Sequence, residues 1–182
     1  MGGLRVRRYA CTFVVLCAML SFLSATAHAK SVTKVYLKAV KCTCSERRTH
    51  GNVHIVYSRG RDVALTTNGL ARDPLVAGDG QTVGWLTGEH CDVDRGKHYV
   101  AHDLTIRRGS QFVRHWKTDY PAWGWKFVDS GKVALALGGI KRGVQEYQLR
   151  DIDSWRLLSS CQNPDYVIGA PPRPDWARGL PK

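Results

Sequence analysis

The sequence predicts an all-β protein of antiparallel, blade-like hairpin sheets. About two to three blades would pack as an incomplete propeller or a sandwich, stabilised by disulfides. Three observations carry this. Short runs of β-branched and aromatic residues recur, broken by Gly, Asp, Asn and Ser. Helical periodicity is nearly absent. Two different hairpins alternate along the chain at a spacing in the forties.

The first residues stand apart from the fold. Arg5, Arg7 and Arg8 precede the apolar run "YACTFVVLCAMLSFL", and the small-residue box "ATAHA" follows. This is the pattern of a secretory signal, too short and wrongly flanked for a stable membrane span. We expect residues 1–29 to be removed after Ala29, or after Ala27 as the second choice, leaving no transmembrane segment. Cys11 and Cys17 would leave with the leader. The product would be periplasmic or extracellular, with 153 residues after the 29-residue leader, enough for one core.

The strands follow in order. "KVYLKAV", "VHIVYS", "DVALTT", "PLVAG", "TVGWLT", "HYVAHDLTIR", "QFVRHW", "GWKFV", "KVALALGG", "QEYQLRD" and "WRLLSS" each alternate or run apolar between turn residues. "LVAGDGQTVGWL" (Leu75 to Leu86) matches "KFVDSGKVALAL" (Lys126 to Leu137): strand, acidic-glycine turn, strand. "VYSRGRDVAL" matches "TIRRGSQFVR", with their Arg-Gly turns 49 residues apart from Gly60 to Gly109. A looser third copy, "YQLRDIDSWRLL", lies 43 residues on, from Arg107 to Arg150. The domain therefore spans 30–168. Residues 169–182, "GAPPRPDWARGLPK", form a Pro-rich tail that cannot pair inside a sheet, although Trp176 offers a pin to the body.

"FVDSGKVALAL" followed by "EYQLRDIDSWRLL" resembles the β-propeller repeats of Tol-type and related WD-like exported bacterial proteins, over roughly 75–160. The resemblance implies blades of short antiparallel strands. Closed propellers use four to eight blades, and the mature chain supplies about three. A sandwich-like packing of these sheets is therefore expected, with ring closure through oligomerisation as the other route. The family's central channel, and any ligand site within it, is not implied here.

Four cysteines remain in the mature chain: Cys42, Cys44, Cys91 and Cys161. An even count in an oxidising compartment reads as a disulfide framework. Cys42 and Cys44 share one face of a strand, and a bridge between them would strain the short ring. Two connectivities stay open: 42–91 with 44–161, or 42–161 with 44–91. Each bridge would add roughly 3–5 kcal/mol in the chain-entropy model.

The full chain has 27 basic and 15 acidic residues, and loss of the leader's three arginines leaves the mature chain at +9. Such charge keeps a small protein soluble and draws it to anionic surfaces. The basic residues are scattered, with no single arm, which disfavours nucleic acid as the partner. Another envelope protein or an anionic polymer is expected instead.

The segment "GEHCDVDRGKHYVAHD" gathers His90, His98 and His102. On a helix, His98 and His102 would share a face and could bind zinc. On a strand they would stand about 13 Å apart, too far for one ion. "DVD" lacks the glycine and distal Glu of a calcium loop. A G-x-S-x-G nucleophile turn and a Gly-rich phosphate cradle are both missing. Paired carboxylates for glycan hydrolysis could come from Asp129, Glu146, Asp151 and Asp153, yet Asp129 and Asp151 already have turn roles. No cofactor is expected.

All six tryptophans fall in the mature chain. Trp123 and Trp125 alternate, which predicts one shared face, with Trp85 and Trp125 as core. Arg107, Arg108, Arg114, Trp116, Tyr120 and Trp123 form the candidate binding patch. The expected role is thus non-catalytic binding or scaffolding in the envelope. An envelope hydrolase of a glycan or anionic substrate comes second, and a metal module at His90–His102 third.

Overall fold

The computed structural model describes residues 31–40, 50–88, 101–109, 111–139, 143–165 and 168–182. Eleven strands among them follow the eleven runs in order: β1 (Val32–Ala39), β2 (Gly51–Tyr57), β3 (Asp62–Ala64), β4 (Ala71–Val76), β5 (Thr82–Gly88), β6 (Ala101–Arg108), β7 (Gln111–Lys117), β8 (Ala122–Asp129), β9 (Lys132–Gly139), β10 (Gly143–Asp151) and β11 (Leu157–Gln162). All pair antiparallel with their neighbours in the two sheets. The fold is all-β, with blade-like meanders that, among the described residues, do not close into a ring or barrel.

The two hairpin kinds keep their own turn chemistry. The Arg-Gly turns of β2–β3 and β6–β7 place Gly60 and Gly109 at φ 75° and 59°, the left-handed region where a Cβ is costly. The β4–β5 turn is tied by Asp79, whose carboxylate accepts from the Gln81 and Thr82 amides at 2.9 and 2.8 Å. In β8–β9 the Asp129 carboxylate accepts from the Gly131 amide and the Lys132 ammonium, both at 2.8 Å. An aspartate side chain bonding two residues on closes each turn without help from the rest of the fold.

β4 to β7 and β8 to β11 are two four-stranded meanders of the same order. The first extends to β2 through a single register pair, Gly51 with Ala71. That thin hinge lets β1, β2 and β3 fold over as a third leaf. Val53 and Ile55 of β2 pack with Val83 and Trp85 of β5 in one core. Leu86 of β5 and Leu104 and Ile106 of β6 pack with Trp125, Val133, Leu135 and Leu137 of the second meander in the next core. β5 and β9 therefore lie between cores and bury both faces, which is why they read as apolar runs. Gly84 leaves room for the Trp125 ring, since a Cβ there would stand 2.6 Å from its Cη2.

The outer face of β9 and β10 is covered by the Pro-rich tail. Ala134, Ala136, Val144 and Tyr147 meet Ala177 and Leu180, with Trp123 and Trp176 half-buried beside them. The tail holds one 3-10 turn, Asp175–Ala177, and adds no strand to the sheet. Trp176 does pack against the body. The opposite end of the stack is polar: the Tyr36 hydroxyl donates to Asp62 at 2.6 Å, and His54 meets the same carboxylate at 3.0 Å. β7 and β11 end their sheets.

Among the described residues Cys161 on β11 has no disulfide partner, and burial pushes its thiol above its ordinary pKa. Its expected partners Cys42, Cys44 and Cys91 lie outside the described residues, as does the leader. No helix among the described residues is long and apolar enough to cross a membrane.

Candidate functional site

The structure divides the expected Arg/Trp patch between four places. Arg108, Arg114 and Trp116 come together, facing the β10–β11 hairpin. Arg108 donates to the Thr82 hydroxyl at 3.2 Å and to the Asp153 carboxylate at 3.3 Å. Arg114 donates to the Asp153 carbonyl. Trp116 and Trp155 rings lie 5.3 Å apart at 50°. The Arg150 guanidinium stands 5.3 and 5.7 Å from these two rings and donates to the Trp155 carbonyl at 3.0 Å. These side chains form a seam that fastens the first meander to the second. Arg108 and Arg114 thus spend part of their hydrogen-bonding capacity within the molecule, while the Arg108 side chain stays 38% exposed. Arg107 is half-buried in β6, opposite Val83 and Phe112.

Tyr120 lies elsewhere, exposed at the mouth of a cavity of about 420 Å³ that also takes in Glu146 and Cys161. Trp123 and Trp125 do not share one packing environment, contrary to simple alternation. The register slips between Ala122 and Gly124, a bulge that adds one residue to β8. Trp125 packs in the core between the meanders, while Trp123 packs toward the tail.

The bulge brings Trp123 to a second concavity, an open groove of about 590 Å³ between β4, β8 and the tail. Its walls are Leu37, Pro74, Leu75, Trp123, Leu180 and Pro181, with Asp73 as its carboxylate. Asp73 has φ 49°, where β4 also slips register between Arg72 and Leu75. A left-handed residue before proline is held only when its surroundings fix it, at a cost of about 1–3 kcal/mol. Here the Trp125 indole N–H donates to the Asp73 carbonyl at 2.9 Å. Behind it the nearly buried Arg72 donates to the Ala122 carbonyl and lies 3.5 Å from the Asp73 carboxylate. Half of the Asp73 side chain stays exposed. Strained backbone, an aromatic wall and one partly exposed carboxylate thus meet in one groove. Such a set can hold a ligand by stacking and hydrogen bonding.

Sequence reasoning took Trp125 as core and passed over Asp73, Pro74 and the tail residues Leu180 and Pro181 as site elements. The available signal was Asp-Pro at the head of an apolar strand, since proline there marks an edge or a bulge. The metal alternative has one described member. His102 Nδ1 lies 3.2 Å from the Thr118 carbonyl, while His90 and His98 lie outside the described residues. Among the described residues no group of three His, Cys, Asp or Glu side chains is placed to hold a metal ion.

No family model matches the chain, and no curated protein matches it. Among solved structures it is similar to the β-propeller domain of the Trilobed protease from Pyrococcus furiosus, which has an open velcro topology. The two share 14% identity at a TM-score of 0.40, over 72% of this chain and 39% of that one. The chain thus spans about two fifths of the structure it matches.

Proposed function

We propose that this protein is an exported, non-catalytic binding protein of the cell envelope, periplasmic or extracellular, and that it holds a glycan segment in the Asp73–Trp123 groove. The observation that carries the reading is the groove itself. An indole beside a partly exposed carboxylate suits a sugar, whose apolar ring face stacks while its hydroxyls donate to the acid. The lining adds only apolar and backbone groups, so the chemistry offered is binding. The mature charge favours approach to an anionic envelope surface.

The test is a pull-down from envelope extract with the mature protein, at low and at high salt, followed by titration of intrinsic tryptophan fluorescence with the captured glycan fragments. Binding should survive high salt, and Trp123→Ala or Asp73→Ala should weaken it about tenfold, near 1.4 kcal/mol. Capture that disappears with salt and ignores both substitutions would leave charge alone as the cause. Turnover of the captured glycan would replace binding with hydrolysis. Mass analysis of the exported protein should begin at Lys30; an unprocessed N-terminus would overturn the export reading.

A further inference from the structure

The Pro-rich tail covers the face of the second meander on which a further leaf would stack. It is held there by contacts that one extended segment can carry from place to place. Arg173 lays its guanidinium 4.4 Å from the centroid of the Tyr147 ring and donates to the Leu180 carbonyl at 2.9 Å. The Tyr147 hydroxyl donates to the Pro181 carbonyl at 2.9 Å, and the Lys126 ammonium donates to the Arg178 carbonyl. Ala177 is fully buried and Leu180 nearly so. Pro181 sits on Gly124, where an added Cβ would meet only the proline ring, at 2.6 Å from Cδ. The face thus has a hydrophobic socket, a ring for a cation and a donor for a carbonyl.

The connection to the tail separates the two parts. Asn163 is buried and pinned to the sheet, its side-chain amide donating to the Val144 carbonyl and its backbone N–H to the Gln145 carbonyl, both at 2.8 Å. Beyond it Ile168, Gly169, Pro171 and Pro172 are exposed. Nine residues separate Asn163 from Arg173, ten Cα-to-Cα steps with a reach of about 33 Å when extended. That length can carry the tail off its own face and onto a neighbour's.

We propose that this face is an exchange site between two copies of the chain, each docking its residues 173–182 on β8 to β10 of the other. Every contact in the closed monomer would be remade once in each direction, so the exchange costs association and little else. The exposed Pro171–Pro172 pair favours it, because a stiff connector resists folding back on itself. The inference does not rest on the groove's ligand, and its test reads mass without any ligand.

The test uses two full-length variants that complement each other. Gly124→Val blocks the face and leaves the tail intact; Leu180→Asp disables the tail and leaves the face open. Each alone should run as a monomer by light scattering. Their mixture should give a one-to-one heterodimer, with mass-labelled copies identifying both partners. A mixture that stays monomeric while both variants keep their strand signal by circular dichroism overturns the proposal. Should either variant fail to fold, hydrogen exchange on the unaltered protein decides. The Ala177 and Leu180 amides should exchange at least a hundredfold faster than those of β9. Equal protection would make the tail an inseparable part of the fold and overturn the proposal.

Discussion

Asp79 shows how much one side chain settles in a protein of short strands. Besides the two turn amides, its carboxylate accepts from the Thr82 hydroxyl at 2.6 Å. Burial alone would raise its pKa, but the hydrogen bonds from Thr82 and Gln81, with Arg108 nearby, outweigh burial and hold it below the ordinary carboxylate range. A carboxyl lowered on folding stabilises the native state fully above its unfolded pKa, about 4. That contribution is lost as pH falls through the folded value. Asp79→Ala should therefore cost about 1–3 kcal/mol near pH 7, and urea melts across pH should show the difference shrinking below about pH 4. A difference that persists undiminished at pH 2 would assign the effect to packing. The turn at Asp129 was legible in the sequence because its chemistry is local: the acid, the amide it binds and the lysine it pairs with lie within four residues. The left-handed Asp73 was not legible, because distant partners hold it, chiefly the Trp125 indole.

Elements were more legible than their relations. All eleven runs became strands, since each is bounded by residues that break a ladder or favour a turn. What joins the leaves escaped sequence reasoning. A one-residue slip in β8 was enough to part Trp123 from Trp125, and no local signal marks it. The seam ties half of the expected patch to Asp153, Arg150 and Trp155, from a hairpin some forty residues on. Trp155 even takes φ 60° to reach its place. A double-mutant cycle of Trp116→Ala and Trp155→Ala should return a coupling of about 0.5–1.5 kcal/mol. Additive losses in thermal melts would mean that the two rings stabilise separate parts.

At the scale of the whole molecule, three leaves share cores through β5 and β9, and the tail finishes the stack. The recurrence of hairpins made the blade-like sheets legible. The tail's role was hidden because its proline content speaks only against pairing and says nothing of packing. Among the described residues the stack keeps open rims, β7 and β11 among them. β7 carries Arg114 and Lys117, charges that repel another strand from its rim. β11, "LLSSCQ", has no charge, and Leu157 is among the exposed apolar residues. The rim at β11 is consequently where heat-loosened molecules should begin to aggregate. Ser160→Lys, at an exposed position, should slow light-scattering growth on heating while leaving the melting temperature unchanged. An unaltered rate would place the aggregation seed elsewhere. Among the described strands, then, one uncharged edge sets how the protein behaves once heat has loosened it: a row of unpaired amides and carbonyls on β11 offers a template to the next molecule.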